Sequence, residues 1–334
     1  MIGYYVHHVG RGHLRNATCI AAALDHEVTG LSSLPRPDGW QGPWIELERD
    51  DDGPPARDPG AHGALHWAPV HDPGLAARMA RIAGWIRSAR PAALVVDVSV
   101  EVAVFARLMG VPVVVRGMPG DRSDPPHQLA YSLADAILAN WPALGDMARD
   151  LAPWTDRTHH VGGLSRYAGR STTAPPHARP RVLVLQGSGG TSVSRADVAA
   201  AAVATPDWDW HRLGPGAWTE DPWSELCAAD VVVTSAGLGS LADVAAAGRP
   251  AVVVAEDRPH NEQRATARGL AEAGIAVTTE RWPEAGQWPD LLARAMALGG
   301  EGWARWGTDG AAERAARVIE AVAESARTRS VSCT

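Results

Sequence analysis

The sequence predicts an α/β protein of two doubly wound domains, each with a parallel sheet covered by helices on both faces. Short continuous apolar runs alternate with helical patterns in both halves of the chain, as buried parallel strands do in βαβ units. A glycine-rich turn follows the first apolar run of each half, and a polar, proline-rich stretch, Ser165–Pro180, separates the halves. The length of 334 residues suits two domains, and such a pair places a ligand cleft where the strand ends face each other.

The first domain is predicted over residues 1–164. It opens with a strand at Ile2–Val6, a glycine-rich turn and a helix over Leu14–Leu24. Proline, glycine, aspartate and tryptophan then predict an irregular excursion between Ser32 and Pro73. Within the excursion only Trp44–Leu47 and Leu65–Trp67 resemble strands; the elements expected after it are helices at Leu75–Ser88 and Val100–Met109 and strands at Leu94–Val98, Val111–Val115 and Ala136–Ala139.

A linker is predicted over residues 165–180 and a second domain over residues 181–326. The apolar runs predict five strands in this domain, at Arg181–Gln186, Trp208–Leu213, Asp230–Thr234, Pro250–Ala255 and Ile275–Thr278. Helices are expected at Arg195–Ala204, Leu238–Ala247, Asn261–Ala273, Pro289–Leu298 and Gly310–Ala326.

Composition excludes several classes of function. A net charge of −7 and the lack of a basic run argue against nucleic-acid binding. Three isolated cysteines, without metal-ligand spacing, predict free thiols in a reducing compartment and neither a metal site nor a cofactor. No basic leader and no apolar run of about 18 residues is present, so we expect a cytoplasmic protein, with peripheral membrane association left open.

A histidine ends the glycine-rich turn of the first domain, in the run Gly10–His13. The glycines let the backbone approach a ligand and the helix that follows favours an anion, so Gly12 is a candidate diphosphate contact. His13 is a candidate general base, and Asp97, at the end of a strand, could orient its imidazole. The alternatives are a plain tight turn for the first segment and helix capping by Asp97 or Ser99 for the second.

The first strand of the second domain is followed by another glycine-rich run, Gly187–Thr191. Backbone N–H groups of Ser188, Gly189 and Gly190 could line up against a diphosphate there, with the dipole of the next helix adding to the attraction. The run matches neither the dinucleotide-binding GxGxxG pattern nor a lysine-containing P-loop. A plain turn is the alternative.

The segment Thr234–Val254 reads as a strand end, a glycine loop, a short helix, a glycine stop and a new strand. At the start of that helix, Ser235, Gly237 and Ser240 are candidate contacts to the diphosphate. Asp243 interrupts the apolar run of the helix, and a carboxylate there could accept hydrogen bonds from both hydroxyls of a ribose.

Glu262 and Gln263 stand at the start of the next helix, where carboxylate and amide groups can bind sugar hydroxyls. The region Thr234–Gln263 resembles the C-terminal domain of family 28 glycosyltransferases, whose best-known member adds N-acetylglucosamine to the lipid precursor of peptidoglycan. The chain more distantly resembles the family 1 transferases. The resemblance implies the GT-B fold, two Rossmann-like domains with an interdomain cleft, and a nucleotide-sugar donor held mainly by the second domain.

The resemblance also implies roles for single residues. His13 matches the base that deprotonates the acceptor hydroxyl in family 1, and Asp97 matches the carboxylate paired with it. Ser188, Gly189 and Gly190 fall where the family contacts the diphosphate. Asp243 matches the carboxylate that holds the ribose, and the pair at positions 262 and 263 matches the pair that reads the donor sugar.

Two positions depart from the family pattern. Ser235 and Gly239 stand where family 1 has histidine and asparagine near the phosphates, so phosphate contacts depend on backbone N–H groups and on Ser240. The ribose residue is usually glutamate, whereas Asp243 is one methylene shorter.

The implied activity is transfer of a sugar from a nucleoside-diphosphate sugar, with UDP as the expected carrier, to a hydroxyl of an unidentified acceptor. Inversion at the anomeric carbon and no metal requirement are expected. One alternative is a UDP-sugar 2-epimerase of the same architecture, although its His-Glu-Ala-Gly stretch is missing from the first domain. Another is a catalytically silent nucleotide-sugar-binding protein, in which His13 and Asp97 would point away from each other.

Overall fold

A parallel sheet forms the centre of the first half of the chain. The computed structural model describes residues 1–9, 11–53, 56–172, 177–187, 190–214, 216–217, 219 and 222–331. Within these residues the first sheet contains β1 (Ile2–Tyr5), β2 (Val28–Ser32), β3 (Trp44–Glu46), β4 (Leu94–Val96), β5 (Val113–Arg116), β6 (Ala136–Ala139) and β7 (Thr158–His160). Their order is β3-β2-β1-β4-β5-β6-β7, and all neighbours are parallel.

The central strands of this sheet are apolar and buried, as expected where helices cover both faces, whereas the edge strands β3 and β7 are partly exposed. The helices of the first half are α1 (Arg11–Ala23), α2 (Pro73–Ala89), α3 (Val100–Leu108) and α4 (Pro125–Leu133). The start of α2 illustrates the local chemistry, since Asp72 accepts a hydrogen bond from the backbone N–H of Leu75 at 2.6 Å and proline occupies the first helical position.

The second half forms another parallel sheet. Its strands are β8 (Arg181–Leu185), β9 (Asp209–Leu213), β10 (Val231–Ser235), β11 (Ala251–Val254) and β12 (Val277–Thr279), in the order β12-β11-β10-β8-β9. Its helices are α5 (Arg195–Ala204), α6 (Trp223–Ala228), α7 (Leu238–Ala247), α8 (Glu262–Glu272) and α9 (Trp288–Leu298). The α/β class with two doubly wound sheets, predicted from the sequence, is confirmed.

The last helix, α10 (Ala311–Val331), returns to the first sheet instead of staying with the second. Its residues Ala315, Ile319 and Ala323 recur every four positions and bury one apolar stripe against Ile20 of α1 and neighbouring strands. The predicted second domain, residues 181–326, included most of this helix, whereas its packing is with the first. No helix among the described residues, the 21-residue α10 included, has the length and apolar character needed to cross a bilayer.

Three local differences from the sequence prediction have physical reasons. The strand β2, which the sequence did not predict, contains Gly30. A Cβ on Gly30 would lie 2.1 Å from the ring of Trp44, so this glycine makes room for the indole. The helix α4 begins with two prolines, which suit its first turn but resemble a loop. The segment Leu65–Trp67 is not a strand, since its backbone N–H groups donate to the carboxylate of Glu101.

The topology makes one edge of each sheet a binding edge. From β1 the strand order runs to β2 and β3 on one side and to β4 and the later strands on the other. The carboxyl ends of β1 and β4 therefore flank a topological switch point. The strands β8 and β10 flank the equivalent point in the second sheet. In doubly wound folds ligands bind at such points.

Candidate active site

His13 and Asp97 meet at the switch point of the first sheet. His13 lies in the first turn of α1, and Asp97 directly follows β4, which pairs with β1. The distance from His13 Nδ1 to Asp97 Oδ2 is 2.7 Å, and the carboxylate is buried while the imidazole stays partly exposed. Ser99, whose hydroxyl accepts a hydrogen bond from the backbone N–H of Val102, caps α3. Ser99, and not Asp97, therefore caps α3, and the carboxylate of Asp97 is paired with His13.

Arg116, at the end of β5, is a third member of this group that the sequence analysis missed. Its Nη1 donates to Asp97 Oδ1 over 2.9 Å, and the guanidinium is buried. Burial alone would raise the pKa of Asp97, but the neighbouring His13 and Arg116 outweigh it and hold that pKa well below its usual range. In the tautomer that donates its Nδ1–H to this ionised carboxylate, the Nε2 lone pair of His13 is left for a substrate; Arg116 Nη1 lies 3.0 Å from the same Nδ1.

A cavity of about 260 Å³ opens beside His7, whose ring is a neighbour of His13. Apolar side chains of Trp67, Leu75 and Met79 contribute to its wall, together with His7. The ring of His7 meets that of His13 edge to face, with 5.9 Å between centroids. Burial, followed by the neighbouring imidazoles, lowers the pKa of His7 to about 4, so His7 is neutral at pH 7. The cavity is a candidate site for an apolar acceptor group.

The glycine loop after β8 is tied to the turn after β11. Gly190 has a φ of 87°, which suits glycine, and its carbonyl accepts a hydrogen bond from Arg258 Nη2 at 2.7 Å. Glu256 accepts from the hydroxyl of Thr191 at 2.7 Å and from the backbone N–H of Ser192 at 3.1 Å. These contacts fix the end of the loop, while Ser188 and Gly189 lie outside the described residues.

The start of α7 faces this loop. Gly237 occupies the N-cap position and, lacking a side chain, makes no capping hydrogen bond, so N–H groups of the first turn stay open to a ligand. A Cβ placed on Gly187 would lie 3.6 Å from the hydroxyl of Ser240, and one placed on Gly237 would lie 3.7 Å from that of Ser235. The predicted phosphate contacts of β10 and α7 thus adjoin the glycine loop. Gly12 lies in the exposed first turn of α1.

Asp243, the predicted ribose residue, is engaged by the first half of the chain. Its Oδ1 accepts from the hydroxyl of Ser165 at 2.7 Å, and its Oδ2 accepts from Arg15 Nη1 at 3.3 Å. The carboxyl group is buried, and this burial raises its pKa despite the nearby guanidinium. A ribose diol at this carboxylate would compete with Arg15 and Ser165 for its oxygens. The sequence analysis did not anticipate the interdomain contact with Arg15.

Glu262 and Gln263 have different surroundings although they are adjacent. Glu262 forms an ion pair with Arg122 of the first half, 3.3 Å between Oε2 and Nη2. The Oε1 of Gln263 accepts from the backbone N–H groups of Ala236 at 3.2 Å and Glu256 at 2.9 Å, which joins the turns after β10 and β11. The amide nitrogen of Gln263 lies 3.8 Å from a Cβ placed on the N-cap glycine of α7, toward the predicted phosphate contacts.

Sequence comparisons identify relatives of this chain. Residues 221–281 match the model of the glycosyltransferase family 28 C-terminal domain. The chain is 34% identical over 201 residues to a Rubrobacter xylanophilus protein described as a UDP-N-acetylglucosamine–N-acetylmuramyl-(pentapeptide) pyrophosphoryl-undecaprenol N-acetylglucosamine transferase, which covers 51% of this chain and 56% of that protein. A Clavibacter sepedonicus protein of the same description is 32% identical over 252 residues, which is 65% of this chain and 67% of the relative.

Solved structures share the fold. The glycotransferase of kitacinnamycin superposes with a TM-score of 0.64 at 17% identity, covering 96% of this chain and 98% of that chain. MurG of Acinetobacter baumannii superposes with a TM-score of 0.64 at 15% identity, covering 96% and 99% of the two chains. At this identity the likeness concerns the fold, which is GT-B. By sequence, the chain spans little more than half of the Rubrobacter relative.

Proposed function

We propose, on the premise that this chain belongs to glycosyltransferase family 28, that it moves a sugar from a nucleoside-diphosphate sugar to a hydroxyl group of an acceptor. The observation that carries the proposal is the pair of His13 Nδ1 and Asp97 Oδ2 at 2.7 Å, on the binding edge of the first sheet. A catalytically silent binding protein would not need this buried pair. The names of the relatives specify UDP-N-acetylglucosamine, and we extend the UDP carrier to this chain.

In the proposed reaction the acceptor hydroxyl gives its proton to Nε2 of His13. The acceptor oxygen attacks the anomeric carbon, and the bond from that carbon to the diphosphate breaks with its electron pair going to the leaving oxygen. Attack from the face opposite the leaving group inverts the anomeric centre. The imidazolium that forms is stabilised by Asp97, as in a hydrolase triad.

In this proposal backbone N–H dipoles and hydroxyl groups, without a metal ion, stabilise the negative charge of the leaving diphosphate. The uncapped first turn of α7, with Ser235 and Ser240, adjoins the glycine loop after β8. The positive end of a helix dipole and fixed N–H groups stabilise developing negative charge without reorganisation. These groups support metal-independent transfer.

Donor recognition is assigned to three side chains of the second half. Asp243 is proposed to accept from the ribose hydroxyls in competition with Arg15, and Glu262 with Gln263 to read the sugar. We propose the cavity beside His7 as the acceptor site. The free thiols of Cys19 and Cys227 are consistent with a reducing, cytoplasmic setting, and peripheral contact with a membrane stays open.

The test begins with donors, since the acceptor is unidentified. A thermal-shift screen of UDP-, dTDP- and GDP-sugars, followed by acceptor trials with the donor that binds, should identify a transfer product. His13→Ala should lower turnover by roughly 10²–10⁴-fold with donor affinity unchanged, whereas the exposed His62→Ala should retain wild-type turnover. The anomeric configuration of the product tests inversion, and transfer in excess EDTA tests metal independence.

Two outcomes would overturn the proposal. Interconversion of a UDP-sugar with its 2-epimer in the absence of acceptor would favour the epimerase. Wild-type turnover by His13→Ala with a verified acceptor would remove the base and with it the mechanism.

A further inference from the structure

A second cluster of titratable side chains lies where the two halves of the chain meet. Asp124 occupies the N-cap position of α4, yet its carboxylate makes no capping hydrogen bond. Its Oδ2 lies 2.6 Å from His66 Nε2, and its Oδ1 lies 2.5 Å from His127 Nδ1. One ligand atom from each of the three residues lies within 4.8 Å of the others. Two imidazoles therefore turn one nitrogen each toward a single carboxylate.

A third imidazole reaches the cluster from the second half. The ring of His260 lies 5.0 Å from that of His127 and 6.3 Å from that of His66, measured between centroids. The backbone carbonyl of His260 accepts a hydrogen bond from the N–H of Asp121 at 2.7 Å. Gly120 packs against the same carbonyl, which would lie 2.2 Å from a Cβ at that position. This tight contact holds His260 beside the cluster.

The charges around the cluster favour a cation. Arg122 is the guanidinium beside it, and its charge is matched by Glu262 at 3.3 Å. Asp150 accepts a hydrogen bond from the backbone N–H of Arg122, and Asp121 and Asp124 add two further carboxylates. Glu262 already balances the Arg122 guanidinium, so among the described residues Asp124 has only the two imidazoles as ion-pair partners, and a divalent ion would offset its charge.

The nitrogens that face Asp124 are the candidate ligand atoms. His127 turns Nδ1 toward the carboxylate, while its Nε2 stands 3.5 Å from Arg122 Nη1. His66 turns Nε2 toward the same carboxylate. A divalent ion would replace the protons that these nitrogens share with the carboxylate, because metal binding to imidazole and carboxylate ligands releases protons.

We propose that His66, Asp124 and His127 bind a divalent transition-metal ion of the zinc class, with His260 as the fourth ligand. Two or three imidazoles and one carboxylate suit zinc, nickel or copper, whereas magnesium and calcium prefer oxygen ligands alone. The ion would join the loop before α2, the start of α4 and the segment before α8, and so link the two halves beside Glu262. The site is separate from the groups proposed to hold the diphosphate.

Metal binding can be measured without any activity. Tag-free protein, stripped with EDTA and desalted, is titrated with Zn²⁺ in competition with a chromogenic chelator. We expect about one ion per chain, bound with a dissociation constant below about 1 µM. His66→Ala and His127→Ala should each weaken binding at least about a hundredfold, and His260→Ala about tenfold. The control His62→Ala removes a histidine four residues from His66 that is 95% exposed, and it should leave the affinity unchanged.

Co²⁺ spectroscopy of the wild-type protein and a second control variant, His8→Ala, complete the test. The wild-type protein loaded with Co²⁺ should show the visible ligand-field bands of a four-coordinate site, which requires no variant to fold. Absence of those bands, or equal Zn²⁺ affinity in wild type, His66→Ala and His127→Ala, would overturn the proposal. Loss of binding in His8→Ala alone would assign the ion to the other His-Asp group, His8 with Asp50 and Asp51, and would equally reject this site.

Discussion

Arg116 and Asp97 form a buried ion pair, with 2.9 Å between Nη1 and Oδ1. The second oxygen of the same carboxylate, Oδ2, lies 2.7 Å from Nδ1 of His13. The carboxylate is therefore balanced by one fixed cation before any proton reaches the histidine. Removing one partner of a buried pair leaves the other charge uncompensated, so substitutions here affect both stability and turnover.

Asp97→Asn should lower turnover by roughly 10²–10⁴-fold, because the amide permits the wrong imidazole tautomer and does not stabilise the imidazolium. It should also cost about 3–5 kcal/mol of unfolding free energy, since Arg116 loses its counter-charge. The measurements are steady-state kinetics and a urea melt on the same preparation. Ser99→Ala is the control for stability: it removes the helix cap without touching the ion pair and should cost only about 1 kcal/mol. Full turnover by Asp97→Asn would contradict the orienting role.

His7 predicts a pH dependence of stability. The pKa of this histidine is about 4 in the folded protein and near the ordinary 6.5 when unfolded. Between these values the unfolded chain binds a proton that the folded chain does not, so stability should fall as the pH drops from about 6.5 toward 4. The loss from this residue is on the order of 1–3 kcal/mol. Urea melts at several pH values check it: His7→Gln should reduce the slope and His62→Gln should not.

The sequence predicts the His13–Asp97 pair because both residues follow apolar strands, and parallel strands end at one edge. Arg116 has the same local signal, since it ends a run of valines. The strand order was not known from the sequence. The guanidinium of Arg116 reaches Asp97 because β5 pairs with β4.

Local sequence patterns do not predict the contacts between the two domains. Arg15 and Asp243 are 228 positions apart, and Arg122 and Glu262 are 140 positions apart. Nothing in either segment specifies its partner, because the packing of two whole domains determines which side chains meet.

Gln263 can be tested by a substitution that separates its two roles. Gln263→Ala would leave two backbone N–H groups without their acceptor and would disturb the turns that hold the site. Gln263→Glu keeps an acceptor oxygen while removing the amide donor. We expect Gln263→Glu to weaken both ligands, because the new carboxylate repels the diphosphate, and to weaken the sugar nucleotide roughly tenfold further through the lost amide donor. Calorimetric titration with both ligands checks this, and equal losses would show that the amide does not read the sugar.

Asp243 and Arg15 provide the sharpest test of the donor site. Asp243→Ala should weaken nucleoside-diphosphate binding roughly ten- to a hundredfold, because a charge-assisted contact to ribose is worth on the order of 1.5–3 kcal/mol. Arg15→Ala should leave affinity equal or stronger, since the ribose competes with that guanidinium for the carboxylate.

The difference between these two responses, a loss of affinity in Asp243→Ala and none in Arg15→Ala, separates ribose binding from a purely structural ion pair. If the contact only held the domains together, both substitutions would weaken the nucleotide by similar factors. Calorimetry with the nucleoside diphosphate and with its 2′-deoxyribose analogue completes the test. The analogue lacks one of the two hydroxyls, so wild type should discriminate against it and Asp243→Ala should not. Equal discrimination by both proteins would remove the ribose assignment.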